Sequence, residues 1–187
     1  MSLSEMVSLR VLYLYSNSIH GVIPNTIGNI YRMTDLQLQN NYLQGTIPSQ
    51  IGNLLQLASL NLRCNQLVGT IPMQLSTQLN LAKLQLGYNH LTGPFPDELG
   101  SDGRMIVLDL IGNNFGGTIS ASFCLLHLQS FTVCFNNGTG CNDIQAVAPC
   151  LKDEYGSQFN LIPNLTSAPT LNMSTTTSSS PCKFDKP

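Results

Sequence analysis

The clearest shortage in this 187-residue sequence is charge, because Asp, Glu, Lys and Arg together make up only 10% of its residues. Soluble domains usually carry about a quarter. With a formal net charge of −2 and no basic cluster, the chain has no stripe for following a nucleic-acid backbone or an anionic membrane surface. Tryptophan is absent, and no apolar run approaches the ~18 residues of a transmembrane helix. We therefore expect no nucleic-acid partner and no transmembrane segment in this chain.

Residue combinations that support catalysis are also lacking. The three histidines, His20, His90 and His127, have no nucleophile and orienting carboxylate at a recognisable spacing. No pair of carboxylates occupies positions that would form a pocket, and the glycines follow a repeat rather than a phosphate-binding loop. The sequence thus predicts a protein that is not an enzyme and has no cofactor and no metal site.

What the chain does have is an internal repeat of 24 residues, with units that start at Leu9, Met33, Leu57, Leu81 and Met105. Leucine recurs at the fourth and sixth positions, asparagine at the ninth and glycine at the thirteenth. An apolar residue fills the eleventh position, and proline fills the sixteenth in the first four units. A fixed period in the twenties indicates a solenoid, in which each unit buries its apolar face against the next.

The third unit illustrates the physical role of each position. Alternation in "LASLNL" directs Leu60 and Leu62 inward from a short strand, and such strands stack in parallel into one sheet. Asn65 follows the strand, where a buried amide can hydrogen-bond backbone groups of neighbouring turns. Gly69 permits a backbone shape that other residues resist, and Pro72 ends the extended stretch before it. Too few residues remain for a long helix, so turns or 3₁₀ segments are expected on the far side.

The pattern L-x-x-L-x-L-x-x-N-x-L-x-G-x-I-P, over roughly residues 3–150, resembles the leucine-rich repeat in its 24-residue plant-type form. That resemblance implies an α/β-type solenoid, a right-handed superhelix with a concave parallel β-sheet and a convex side of turns and 3₁₀ segments. Similar repeats occur in plant receptor-kinase ectodomains, polygalacturonase-inhibitor proteins and protist surface antigens. The residues are compatible with all three groups.

Four segments are predicted along the chain. Residues 1–8 form a truncated repeat, because Leu3 and Met6 are in register with Ile27 and Ile30 of the next unit. A signal peptide is not favoured there, because Arg10 interrupts the apolar run that it would need. Residues 9–128 hold the five repeats, with a looser loop at Asp102. Residues 129–160 combine an incomplete sixth repeat, whose strand is centred on Phe131, with a cysteine-bearing C-terminal cap. Residues 161–187 are rich in Ser, Thr and Pro and are expected to be disordered.

Cysteines and glycosylation triplets concentrate near the C-terminus. The cap has four candidates for one or two disulfides, with spacings unlike those of zinc ligands: Cys124, Cys134, Cys141 and Cys150. Cys64, alone in the repeats, is expected to be a free thiol. Three Asn-x-Ser/Thr triplets are candidate glycosylation sites: Asn137, Asn164 and Asn172. Together these features favour an extracellular or cell-surface location.

Function is expected on the concave face of the solenoid, since its outward positions vary between units while the inward ones do not. The candidate ligand-binding residues are Tyr13, Tyr15, Asp35, Gln37, Gln39, Asn61, Arg63, Lys83, Gln85, Tyr88 and Asp109. Tyrosine and arginine are enriched among binding hot spots. The face covers on the order of 500 Å², below the about 800 Å² per partner of a standard interface. It suits a peptide, a glycan or part of a larger footprint.

We therefore expect a non-catalytic module that recognises a protein, peptide or glycan, as a fragment of a larger secreted or surface protein. The alternative is a structural spacer or surface-coat repeat without a specific ligand. Saturable binding of a ligand would distinguish the two.

Overall fold

The computed structural model describes residues 6–94, 97–100, 104–119, 130–132, 144–147 and 182. Two parallel six-stranded sheets are built from alternate strands of the chain. In chain order the strands are β1 (Val11–Tyr13), β2 (His20–Val22), β3 (Asp35–Gln37), β4 (Tyr42–Thr46), β5 (Ser59–Asn61), β6 (Gln66–Gly69), β7 (Lys83–Gln85), β8 (His90–Pro94), β9 (Val107–Asp109), β10 (Asn114–Ile119), β11 (Ser130–Thr132) and β12 (Ile144–Val147).

The first sheet has the order β1-β3-β5-β7-β9-β11 and forms the concave face. Its register aligns the fourth position of each unit, so that Leu36 pairs with Leu60 and Leu60 with Leu84. Phe131 pairs with Leu108, which confirms the sixth strand that the spacing predicted. The inward leucines of β3, β5, β7 and β9 are fully buried, because each unit covers the apolar side of its neighbour, whereas Leu12 of β1 is only partly buried.

The convex side consists of turns and short 3₁₀ segments, as predicted. These segments are Asn25–Asn29, Ser49–Asn53, Met73–Leu75 and Asp97–Gly100. In the first three units a proline in extended conformation precedes the segment, since its fixed φ and missing donor stop the preceding strand from continuing. Ile27, Ile51 and Leu75 of these segments close the core opposite the first sheet.

A second sheet, with the order β12-β10-β8-β6-β4-β2, was not predicted. It pairs His20 with Tyr42, Gln44 with Gln66, and Val68 with His90. Paired residues in this sheet are thus 22 positions apart in the sequence, two fewer than the 24-residue repeat. At the thirteenth position Gly21, Gly45, Gly69 and Gly93 all have a positive φ, between 72° and 98°, although they lie within the paired strands of this sheet, and glycine adopts that conformation without strain.

The predicted asparagine ladder is present. In the third unit the Asn65 Nδ2 donates to the carbonyls of Leu38 and Leu62, both at 3.0 Å, and the Leu43 amide donates to Asn65 Oδ1 at 3.0 Å. Equivalent bonds recur at Asn41, Asn89 and Asn113. The ladder therefore links each unit to the one before it.

The expectation of a free thiol at Cys64 was wrong, because its Sγ is bonded to Cys182 across a sequence separation of 118 residues. Cys64 is 1% exposed and is covered rather than open to solvent. The Asp102 loop, the four cap cysteines and the three glycosylation triplets lie outside the described residues. So does the predicted disordered tail, apart from Cys182.

Candidate functional site

The concave face gets its outward side chains from the odd-numbered strands and from the turn that follows each of them. At the eighth position of every unit the backbone has a positive φ: Ser16 (53°), Asn40 (57°), Cys64 (56°), Tyr88 (54°) and Gly112 (66°). This left-handed residue ends the strand and directs the following asparagine inward. The sequence did not predict this left-handed conformation, because Ser16, Cys64 and Tyr88 adopt it much less readily than asparagine or glycine does.

Tyr13, Tyr15, Asp35 and Gln37 form what we call the N-terminal cluster. Tyr13 Oη donates to Asp35 Oδ2 at 2.7 Å, and Gln37 Nε2 donates to Asp35 Oδ1 at 2.6 Å. The same Gln37 amide donates to Ser59 Oγ at 2.9 Å on the next strand. The two tyrosine rings lie 6.2 Å apart at 52°, and the residues are 54% and 49% exposed. The cluster thus holds a carboxylate in a fixed position, in contact with the hydroxyl of one of two accessible tyrosines.

The pKa of Tyr13 is raised above its usual value. The first cause is the hydrogen bond that its hydroxyl donates to Asp35, and the second is desolvation of the phenol. Repulsion between a phenolate and the Asp35 carboxylate adds to both. The neutral hydroxyl therefore stays a donor to Asp35 throughout the neutral range.

Arg63, Tyr88 and Asp109 form the C-terminal cluster. The Arg63 guanidinium lies over the Tyr88 ring, 4.6 Å from its centroid, and its Nη1 is paired with Asp109 Oδ2. These residues come from three successive units, so Arg63 must cross the intervening strand. The intervening residue is Gly87, which has no Cβ. A Cβ built there would lie only 2.9 Å from both carboxylate oxygens of Asp109 and would crowd the pair. The missing side chain at Gly87 leaves room for the pair.

The predicted site residues differ in accessibility. Tyr13, Tyr15 and Lys83 are exposed, whereas six others are half-buried: Asp35, Gln37, Gln39, Arg63, Gln85 and Tyr88. Asn61 and Asp109 are only 7% and 4% exposed. Each uses its Oδ1 to accept from the backbone amide two residues on, that of Arg63 or Ile111, at 3.1 and 3.2 Å. Short polar side chains often fold back in this way at the end of a strand.

The disulfide at Cys64 adds a feature that the sequence did not predict. Cys64 follows Arg63 directly and occupies the eighth position of the third unit, between the two clusters. Residue 182 of the chain is therefore fixed beside the middle of the concave face. No signal in the sequence singled out this pairing, since Cys182 lies in a segment without repeats.

Charged groups are sparse on this face. In the part of the chain that the structure describes, Asp35 makes no ion pair, and Arg63–Asp109 is the one salt bridge. Lys83 lies on the same row as Asp35 but two strands along, a distance of about 9.6 Å at the usual strand spacing. No group of three or more potential metal ligands occurs among the described residues. Within the same residues, no helix has the length and apolar character needed to cross a bilayer.

Comparison with protein families matches the leucine-rich repeat model to residues 8–30, 32–54 and 80–101. The chain is similar to the ectodomain of the receptor kinase GASSHO1/SCHENGEN3 from Arabidopsis thaliana, solved in complex with CASPARIAN STRIP INTEGRITY FACTOR 2. The identity is 38% and the TM-score 0.67, over 70% of this chain and 16% of that one. It is also similar to the plant peptide hormone receptor RGFR1 in complex with RGF2, at 34% identity and a TM-score of 0.68, over 72% and 22% of the two chains.

A third similar structure is a plant ice-binding protein, at 30% identity and a TM-score of 0.65, over 72% of this chain and 43% of that one. A search of curated proteins gives no significant match. The chain spans 16% and 22% of the length of the two receptor structures.

Proposed function

Because this chain is a leucine-rich repeat protein with 24-residue units of the plant type, we propose that it is a non-catalytic recognition module that binds a peptide along its concave face. The observation that carries the proposal is the preorganisation of the outward side chains. Hydrogen bonds between units hold Tyr13, Asp35 and Gln37, while Arg63 is held by Tyr88 and Asp109. Fixed polar and aromatic groups lose little entropy when a ligand binds.

A peptide fits the dimensions of this face better than a folded protein does. The distance from β1 to β9 is four strand spacings, about 19 Å, which an extended peptide of about six residues would span. The plant peptide hormone receptor RGFR1 in complex with RGF2 supports the choice, since its similarity covers 72% of this chain. The similar receptor structures are ectodomains, so we also propose an extracellular location. Because this chain matches only a small part of them, it would supply part of a longer binding surface.

Selection from a displayed library of random peptides tests the proposal. We expect saturable binding to the full chain, with Kd raised about tenfold or more when Tyr13, Tyr15, Arg63 and Tyr88 are all replaced by alanine. The matched control replaces four outward residues of the second sheet, Val22, Gln44, Val68 and Thr92, and should bind like the wild type. Circular dichroism must be unchanged in both variants. Equal loss in the two variants, or no loss in the first, would rule out the concave face.

A second candidate function is adhesion to ice, and the outer face of the second sheet favours it. The outward residues of β2, β4, β6 and β8 include no Asp, Glu, Lys or Arg. These strands bring no carboxylate, ammonium or guanidinium to a solid lattice, so apart from the exposed imidazoles of His20 and His90 they offer no charge to be buried unpaired. The plant ice-binding protein is similar to this chain over 72% of its length. Inhibition of ice recrystallisation that is lost on Val68→Lys but kept in the concave-face variant would support this function.

If the chain neither captures a peptide saturably nor inhibits ice growth, the spacer hypothesis remains. In that case the fixed side chains of the concave face would stabilise the repeats alone. The alanine variants would then lower the free energy of unfolding without changing any binding measurement.

A further inference from the structure

The C-terminal cluster provides an internal example of how this face holds a cation. There one guanidinium, that of Arg63, is held by an aromatic ring and a carboxylate. The N-terminal cluster has the same two kinds of group in the rings of Tyr13 and Tyr15 and the carboxylate of Asp35. What it lacks is the cation, since no described residue forms an ion pair with Asp35.

The nearby cations of the chain do not fill this position. Arg10 directly precedes β1, and its backbone carbonyl accepts from the Asp35 amide at 3.1 Å, but its side chain makes no ion pair with Asp35. Lys83 is two strands away, a backbone separation of about 9.6 Å, and its side chain makes no ion pair with Asp35. Asp35 is thus a carboxylate whose charge is balanced only by neutral donors.

The carboxylate also has unused acceptor capacity. Each oxygen accepts one hydrogen bond, from Tyr13 or from Gln37, whereas an ionised carboxylate has about four acceptor positions. Two directions therefore remain for a ligand. The ring of Tyr13, whose hydroxyl contacts this carboxylate, and the neighbouring ring of Tyr15 are about half-exposed, and an aromatic face attracts a cation that lies within about 6 Å.

From these observations we propose that the N-terminal cluster binds an arginine side chain of the peptide ligand. This inference rests on the proposed recognition function and specifies the chemistry of its ligand. The guanidinium stacks on a tyrosine ring and donates to the two free acceptor positions of Asp35. Arginine is preferred to lysine because its planar fork can stack and donate two parallel hydrogen bonds at once. Tyr13 and Gln37 act as positioning residues that keep the carboxylate oriented.

The test uses random peptides of about 12 residues, long enough at roughly 3.3 Å per residue to cross the whole sheet. Peptides selected on the full wild-type chain should be enriched in arginine. In a selected peptide, replacing that arginine by citrulline keeps the shape and removes the charge, and we expect Kd to rise about tenfold. On the Asp35→Asn chain the same replacement should change Kd by less than about threefold, which isolates the pairwise contact.

Two further variants test whether the effect of citrulline is specific to the N-terminal cluster. Glu98→Gln removes a carboxyl from the convex side, and its citrulline penalty should match that of the wild type. Tyr15→Leu keeps an apolar side chain but removes a ring, and it should reduce the penalty while circular dichroism stays unchanged. An equal citrulline penalty on wild-type and Asp35→Asn chains would overturn the inference.

The outcomes separate this inference from the proposed function. Saturable peptide binding without arginine enrichment would refute the arginine site and leave peptide recognition intact. Failure to select any peptide would refute peptide recognition itself, and the inference with it.

Discussion

Replacement of Asn65 by alanine tests the physical account of the solenoid most directly. Asn65 is buried, and its Oδ1 is the acceptor for the Leu43 amide of the preceding unit. Its Nδ2 donates to the carbonyls of Leu38 and Leu62. Alanine removes these three bonds, together with a longer one to the Arg63 carbonyl at 3.4 Å, and leaves a backbone amide without an acceptor in the core.

The three losses are not equal in size. Leu38 and Leu62 each keep a second donor, from Asn41 at 3.1 Å and from Asn89 at 3.0 Å, so their carbonyls remain satisfied. Those two bonds are worth about 1 kcal/mol each, whereas an unsatisfied buried amide costs about 1–3 kcal/mol. We therefore expect Asn65→Ala to lower the free energy of unfolding by about 3–5 kcal/mol.

Asn17 provides the matched control, because it occupies the same repeat position but is exposed. Its Nδ2 donates only to Leu14 and Tyr15 of its own unit, and water can replace both bonds. Asn17→Ala should therefore change the free energy of unfolding by less than about 1 kcal/mol. A third variant, Asn65→Asp, keeps the acceptor but turns a carboxylate toward two carbonyls, and should be at least as destabilised as alanine.

Urea unfolding followed by circular dichroism gives the free energy of unfolding of all three variants. The values are compared only if the dependence of that free energy on urea concentration is the same in each. Because repeat arrays can unfold in steps, coincident transitions by fluorescence are needed before free energies are assigned. Equal effects of Asn65→Ala and Asn17→Ala would refute the reasoning, since the ladder would then contribute nothing beyond local turn formation. A stable Asn65→Asp chain would refute the assignment of donors and acceptors.

Three further predictions concern the turn, the tyrosine and the disulfide. Ser16→Gly should raise the free energy of unfolding by about 0.5–1 kcal/mol in thermal melts, because relief of left-handed strain exceeds the entropic cost of glycine; Asn40→Gly should change it little. Asp35→Asn should lower the pKa of Tyr13. In each background, that pKa is obtained by subtracting the absorbance titration of the Tyr13→Phe chain from that of the chain with Tyr13. Since that pKa is raised on folding, the hydrogen bond stabilises fully below pH about 10 and is lost as pH rises through the folded-state value. Cys64→Ser and Cys182→Ser should each destabilise by about 2–4 kcal/mol without adding in the double variant, and a non-reduced digest should contain the linked peptide.

The first sheet and the ladder could be predicted because they depend on contacts that repeat. Leucine at two alternating positions and asparagine at a third recur at every 24th residue, so one interpretation had to satisfy five units at once. The second sheet escaped prediction for a local reason. Its strand "YLQGT" contains Gly45, a residue that weakens strands, and its pairs are offset by 22 residues rather than 24.

Side-chain direction on the concave face was predictable, but accessibility was not. Alternation along a strand gives the direction of Asn61 and Asp109 without any knowledge of neighbours. Their burial depends on neighbours that do not repeat: the carboxylate of Asp109, for example, is paired with Arg63 and occupies space that a side chain at Gly87 would enter. The bond between Cys64 and Cys182 could not be predicted either, because it joins a repeat to a segment that has no sequence pattern of its own.

The reach of Arg63 across Gly87 has a consequence for how this chain could change in length. Both sheets repeat after one 24-residue unit, so excision of residues 81–104 would rejoin every ladder in its present register. Duplication of the same residues would do so equally. Arg63 and Asp109, however, would then lie one or three strand spacings apart, about 4.8 or 14 Å in place of about 9.6 Å. The ladders of the scaffold would therefore form with one unit more or one unit fewer, whereas the Arg63–Asp109 ion pair can form only when one unit lies between the units of its two partners.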